Sequence, residues 1–264
     1  MPANEVASGS TRLTWRQMTF ILFMLALTIL FVGLGYWQMQ RLGEKTRQLE
    51  AIAERSERSP IDLPPVAEWS VSDPLAFDYL PVTATGTFRN DETVLVFTSL
   101  EDPRGTYSGP GYWVIAPLQT ANNGLVFVNR GFVPQDQKDQ FKAGGAGPQV
   151  EVTITGLARV SEKTGMFTPA SDLVNRIDWA RNIDRLEQYV DTAGRTVAPF
   201  YIDEAASAPG ALPQGGETKL TLPNRHFEYA LTWFSLAIIT PILVVTWLLR
   251  ARKQTSLAPG GSSE

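Results

Sequence analysis

Tyr229-Ala230-Leu231-Thr232-Trp233-Phe234-Ser235-Leu236-Ala237-Ile238-Ile239-Thr240-Pro241-Ile242-Leu243-Val244-Val245-Thr246-Trp247-Leu248-Leu249 is a run of 21 residues without a charge. At ~1.5 Å per residue it measures roughly 31 Å as a helix, close to the ~30 Å hydrocarbon core of a bilayer. Met18 to Tyr36 is a second uncharged run, 19 residues long, or roughly 28 Å. Globular helices rarely run that far without a charge. The pair therefore reads as two membrane spans, at 17–40 and 226–249, and not as two buried core helices.

The first run is too long for a cleaved signal peptide, and Gly35-Tyr36-Trp37-Gln38 at its end lacks a small-x-small cleavage site. Residues 1–16 hold two arginines and one glutamate, too short and too mixed for an organelle presequence. Arg12 and Arg16 precede the first run, and Arg250, Arg252 and Lys253 follow the second. The positive-inside rule then puts both termini in the cytoplasm and residues 37–228 outside. Arg41, Lys45 and Arg47 oppose this orientation, but long translocated segments obey the rule weakly. The net charge of -4, with a pI near 5.2, and the lack of a basic patch exclude nucleic acid as a partner. The chain has no cysteine, which excludes iron–sulfur clusters, thiolate zinc, covalent c-type haem and disulfides.

Between the spans, helical character continues over 41–59 until Ser59-Pro60 stops it. Pro60–Pro74 reads as a linker. Strands are expected at Leu80–Phe88, Val94–Ser99, Tyr112–Ala116, Leu125–Val128, Val150–Thr155, Phe200–Ile202 and Lys219–Leu222. Asn122-Asn123-Gly124 signals a hairpin, because asparagine and glycine tolerate positive φ. Asp184–Val190 reads as a short helix with Asp184 as N-cap and Gly194 closing it. Loops are expected at 143–148 and 204–216, and a flexible tail at 254–264. The expected fold is an α+β membrane protein, with two transmembrane helices flanking a mainly β extracytoplasmic domain (60–225), a small barrel or sandwich. Residues 1–16 and 250–264 are the cytoplasmic ends.

His226, the only histidine, stands at the mouth of the second span. A neutral imidazole binds iron without importing charge into lipid, whereas a histidine there can also serve only as a headgroup-level hydrogen-bonding residue. Gly33, Trp37 and Arg41 recur at i, i+4, i+8, and His226, Tyr229 and Trp233 at i, i+3, i+7. Antiparallel spans bring both sets to one leaflet, around one porphyrin-sized gap. A haem needs an axial imidazole, apolar walls and cations for its propionates, with Arg41 and Arg225 available for the last. An aromatic belt accounts equally for Trp37, Tyr229 and Trp233, a surface charge for Arg41, and close helix packing for Gly33. No phosphate loop, nucleophile elbow or paired metal-spaced histidines occur. A serine–lysine dyad from Lys45 with Ser56 or Ser59 is the one enzymatic alternative, and the chain reads as no enzyme.

Four blocks resemble the surfeit locus protein 1 family. They are Leu34-Gly35-Tyr36-Trp37-Gln38-Met39-Gln40-Arg41-Leu42, Gly86-Thr87-Phe88, Val128-Asn129-Arg130-Gly131-Phe132-Val133-Pro134, and Asn224-Arg225-His226-Phe227-Glu228-Tyr229-Ala230-Leu231-Thr232-Trp233-Phe234. The last is the most specific. Phe132 stands where a tryptophan is usual, and Glu44 where tryptophan often precedes the lysine that is here Lys45. The resemblance implies a non-enzymatic assembly factor for haem–copper cytochrome c oxidase that binds haem a transiently and aids its insertion into subunit I. It implies His226 as the haem-iron ligand, with Trp37, Arg41, Tyr229 and Trp233 as cofactor-binding residues at motif positions. Subunit I, haem a synthase and the bilayer are the expected partners, and a bacterial inner membrane the expected home. A scaffold for oxidase subunits that never touches haem is the alternative. Asn129-Arg130-Gly131 is expected to fix a turn or bulge in the domain.

Overall fold

The computed structural model describes residues 14–142, 147–220 and 224–256. It divides into a helical unit, before residue 50 and after residue 220, and a β unit from Glu50 to Leu220.

In the helical unit lie α1 (Trp15–Ser56), whose last turns pass into the β unit, and, at the far end of the chain, a second helix (His226–Ser256). Both are long and apolar enough to cross a membrane. α1 continues unbroken through the expected extension, because nothing between Gly43 and Ser56 breaks a helix and Pro60 follows.

Among its described residues the β unit holds nine strands. They are β1 (Ile61–Asp62), β2 (Pro81–Phe88), β3 (Val94–Leu100), β4 (Gly109–Thr120), β5 (Gly124–Pro134), β6 (Glu151–Arg159), β7 (Ile177–Asp178), β8 (Thr196–Val197) and β9 (Tyr201–Glu204). Five of them close a barrel in the order β2-β6-β9-β5-β4 and back to β2. Every neighbour in the ring is antiparallel except β5 with β9, where Val128 lies opposite Ile202. Closure occurs where Gly86, Thr87 and Phe88 meet Thr120, Gln119 and Leu118. A Cβ on Gly86 would lie 2.3 Å from the Gln119 carbonyl oxygen, so only glycine lets these strands meet.

β4 belongs to two sheets at once. Its far end closes the barrel, and its first seven residues pair with β3. Both faces of β4 and β5 are therefore covered, and each strand is an almost unbroken apolar run. Side chains that alternate along these strands feed two cores. Ala116, Leu118, Val126, Val128, Phe200 and Ile202 point into the barrel, while Ile115, Phe127 and Tyr201 pack under Ile183, Leu186 and Tyr189. The β4–β5 turn carries Asn123 at φ 60°, as the Asn-Asn-Gly signal requires.

Four expectations change. The linker 60–74 contains β1 and a short helix, α2 (Val66–Trp69), whose Trp69 is buried at the barrel end and donates its indole N–H to Pro64 at 2.9 Å. Periodicity missed it because one tryptophan, not a repeating face, docks the segment. The helix near 184 is α3 (Ile183–Leu186), continued by a 3-10 turn at Glu187–Tyr189, and its cap is Asn182, which accepts from the Arg185 amide at 3.2 Å. Lys219 and Leu220 are not in a strand, and 221–222 lie outside the described residues, as do 143–146 of the expected loop and 257–264 of the tail. The strand expected from Val150 starts instead at Glu151 and runs on to Arg159.

Asn129-Arg130-Gly131 makes the expected bulge. Trp113 pairs with Phe132 and Ile115 with Asn129, so Arg130 and Gly131 together oppose Val114. Gly131 has φ 132°, open to glycine alone. Asn129 holds the bulge by accepting from the Gly131 amide at 3.2 Å and donating to Asp203 at 2.7 Å.

Asp203, 3% exposed, also accepts from Thr218 at 2.8 Å and faces Arg159 at 3.5 Å and Arg181 at 3.4 Å. Arg159 lies over the Tyr79 ring, and Arg181 lies near the Trp113 and Tyr201 rings. Two guanidiniums are thus desolvated around one carboxylate. Asp203→Ala leaves Arg159 with Asp78 at 3.0 Å and Arg181 with Glu162 at 2.6 Å, and is expected to cost about 2–3 kcal/mol, a fall in thermal midpoint of roughly 5 °C, measured by calorimetry on the full chain.

Burial alone would raise the Glu162 carboxyl, but Arg181 holds it below its usual range. Burial acts likewise on Asp178, overcome by hydrogen bonds from Arg185, the Trp179 amide and others. Depressed folded values mean the unfolded chain takes up protons first. The stability these groups give is present above their ordinary values of 4.5 and 3.8 and is lost as pH falls through the folded ones. Urea midpoints should therefore drop steeply below about pH 4.5; replacing Glu162 by Gln should flatten that drop.

Candidate functional site

Label the helix His226–Ser256 α4. It runs antiparallel to α1, and one seam joins them. On α1 the inward positions are Met24, Thr28, Phe31, Gly35 and Gln38; on α4 they are His226, Ala230, Trp233, Ala237 and Thr240. Both sets step by four, three, four and three, the heptad spacing of two helices packed side by side. Five of these ten residues are small (Thr28, Gly35, Ala230, Ala237 and Thr240), the kind that lets helices approach closely where lipid would remove any hydrophobic drive to associate. Outward side chains such as Leu22, Phe23, Leu25, Ile238, Ile242 and Leu243 are apolar and more than half exposed, as lipid contact requires.

Gly35 is the closest approach. A Cβ there would lie 2.7 Å from the ring of Phe234. Gly33, the glycine singled out from the sequence, has nothing within 4 Å of such a Cβ. Below Gly35, the rings of Phe31 and Trp233 stack with centroids 5.8 Å apart, the Thr28 hydroxyl bonds the Thr240 hydroxyl at 3.2 Å, and Phe20 meets Trp247 at 4.9 Å.

At the mouth of the seam, His226 Nδ1 lies 2.7 Å from Gln38 Oε1. Gln38 is 8% exposed. With the amide oxygen accepting, Nδ1 carries the proton, and in the neutral ring Nε2 keeps its lone pair. Sequence reasoning matched Gln38 to a motif but gave it no role. The signal was present, because Gln38 falls in the Thr28-Phe31-Gly35 series and His226 begins the Ala230-Trp233 series.

The other expected residues divide. Trp233 lies in the seam against Phe31, two turns in from His226. Trp37 and Tyr229 sit off the seam, 48% and 54% exposed. Arg41 lies over the Trp37 ring at 5.9 Å and is paired with Glu44 at 2.9 Å. The helices meet along the whole seam, so the expected porphyrin-sized gap between them is closed; a flat ligand has only their outer flank. Among the described residues no group of three or more His, Cys, Asp or Glu is placed to hold a metal.

The sequence pattern of the SURF1 family matches residues 25–238. The chain is 29% identical over 240 residues to the SURF1-like protein of Monosiga brevicollis, covering 87% of each. It is 30% identical over 235 residues to the SURF1-like protein of Drosophila melanogaster, with 84% of this chain and 75% of that one covered. With Surfeit locus protein 1 of Homo sapiens it shares 28% over 243 residues, 86% of this chain and 77% of the relative.

Because the chain lacks cysteine, the seam can be trapped with one introduced pair. Thr28→Cys with Thr240→Cys should form an intramolecular disulfide on mild oxidation in membranes. Gly35→Leu should lower its yield several-fold, and Phe234→Ala added to it should restore the yield, read by gel shift.

Proposed function

The chain belongs to the SURF1 family, and from that premise we propose that it is a non-enzymatic assembly factor for haem–copper cytochrome c oxidase. In this reading it binds haem a transiently at the membrane edge and aids its insertion into subunit I, receiving it from haem a synthase. The membrane is a bacterial inner membrane, with both termini cytoplasmic and the β domain periplasmic.

The observation that carries the reading is the Gln38–His226 pair. A histidine whose Nδ1–H is held by a buried amide has a fixed ring and presents Nε2, the arrangement that haem and metal ligands share. Trp37 and Tyr229, half exposed beside it, offer flat surface for a macrocycle on the flank of the helix pair, while Trp233 stiffens the seam below. Arg41 supplies a cation within reach of a propionate, once it exchanges its exposed bond to Glu44. Haem a is cargo here. A single axial ligand lets it leave for a site that binds it more tightly.

The closed seam favours one further reading, in which the helices only anchor the domain and the protein holds oxidase subunits without touching haem. His226→Ala separates the two. Purified after co-expression with haem a synthesis, the wild-type protein is expected to show a Soret band, His226→Ala none, and Gln38→Leu a band several-fold weaker. A band unchanged in His226→Ala, with oxidase fully assembled, selects the scaffold.

A further inference from the structure

Among the described residues of the β unit, the most exposed large apolar side chains are Met166 at 94%, Phe167 at 93% and Val174 at 92%. All three lie on the segment that joins β6 to β7, and Leu173, beside Val174, is half exposed. Both pairs sit at the tips of tight turns. The Gly165 amide donates to the Thr168 hydroxyl at 2.9 Å and the Thr168 amide to the Gly165 carbonyl at 3.0 Å, which puts Met166 and Phe167 at the apex. Asp172 and Ile177 exchange both main-chain bonds at 3.0 Å, and the Asp172 carboxylate accepts from the Asn175 amide at 3.0 Å. Leu173 and Val174 head that second turn.

Turn tips ordinarily carry glycine, asparagine, proline or serine. Here they carry apolar side chains, and the segment is built to hold them out. Arg185 donates to the Pro169 carbonyl between the turns at 2.8 Å, and β7 docks the far end on β3. Between Lys163 and Arg176 the sole charge is Asp172, which is satisfied inside its own turn.

We infer that these two tips insert into the surface of the same bilayer that α1 and α4 cross. The inference rests on the reading of those helices as membrane spans, and it is independent of haem. A protein partner would have to offer a separate pocket to each tip, because the tips are knobs and form neither a groove nor a flat face. A bilayer interface accepts any apolar knob. Lys163, exposed at the base of the segment, supplies a cation for anionic headgroups. Lipid is also within reach. Glu162, next to Lys163, lines one cleft with Thr218 and Lys219, and from Leu220 to the start of α4 at His226 the chain can extend at most ~21 Å. So tethered, the domain needs only a small apolar contact to stay on the membrane.

The test uses single cysteines in the full-length protein, which has none of its own, each labelled with an environment-sensitive fluorophore. The protein is placed in vesicles of phosphatidylethanolamine and phosphatidylglycerol that carry a quencher high on the acyl chains. Thr164→Cys reports the first tip without altering it, Ile242→Cys reports the second span, and Val71→Cys reports a lone exposed apolar residue elsewhere in the β unit. Quenching is expected at positions 164 and 242 and not at 71. Met166→Asp with Phe167→Asp, both at solvent-exposed positions, should lower the quenching at 164 several-fold and leave that at 242 unchanged. Quenching at 242 without quenching at 164 overturns the inference and leaves the spans standing. Equal quenching at 71, or quenching at 164 that the two aspartates do not change, also overturns it. No quenching at 242 removes the membrane reading itself, and the inference with it.

Discussion

Two helices long and apolar enough to cross a membrane would have no hydrophobic reason to touch in lipid, because the tails around them would be as apolar as their own side chains. Contact must come from shape and from polar groups that find each other. In this chain it comes from Gly35 lying under the ring of Phe234 and from two side-chain bonds, Thr28 to Thr240 and Gln38 to His226. The glycine sets how near the helices come, and the bonds set their register. The imidazole at the mouth owes its orientation to all three, so the one histidine of the chain is held by the same contacts that hold the helices together.

Much of this is written in the chain. The two uncharged runs define the helices, Asn122-Asn123-Gly124 defines the β4–β5 hairpin, and Asn129-Arg130-Gly131 defines a bulge. These signals are local: length, periodicity, or a backbone angle only certain residues tolerate. What sequence reading missed is non-local. Trp69 fixes a proline-bearing stretch by docking into a barrel assembled from strands far along the chain. Asn182 displaces Asp184 as the cap because the helix begins two residues earlier than its charges suggest.

The candidate site was legible in part. His226 was singled out from type and position, but spacing from Gly33 and Trp37 selected a face one residue away from the one that packs. Intervals of four residues drift around a helix, whereas alternating threes and fours stay on one side. Counting Thr28, Phe31, Gly35 and Gln38 in that rhythm would have named Gln38 as the partner of His226. Trp37 and Tyr229 then fall outside the seam, where their rings stay available.

The β unit spends its charge differently. Asp203, Arg159 and Arg181 are brought out of water together, and Asn129 ties this cluster to the bulge. β4 shares its length between the barrel and β3, so it meets β2 along only three residue pairs, from Gly86–Thr120 to Phe88–Leu118; the parallel joint of β5 with β9 is shorter still, with Val128–Ile202 and Asn129–Asp203 alone, while the joints β4–β5 and β2–β6 are longer. A cylinder pulled or heated parts first along its shortest lock. Unrolling from there would turn the domain into one broad open ribbon, with β4 as the hinge still holding β3 and β5 on its two sides.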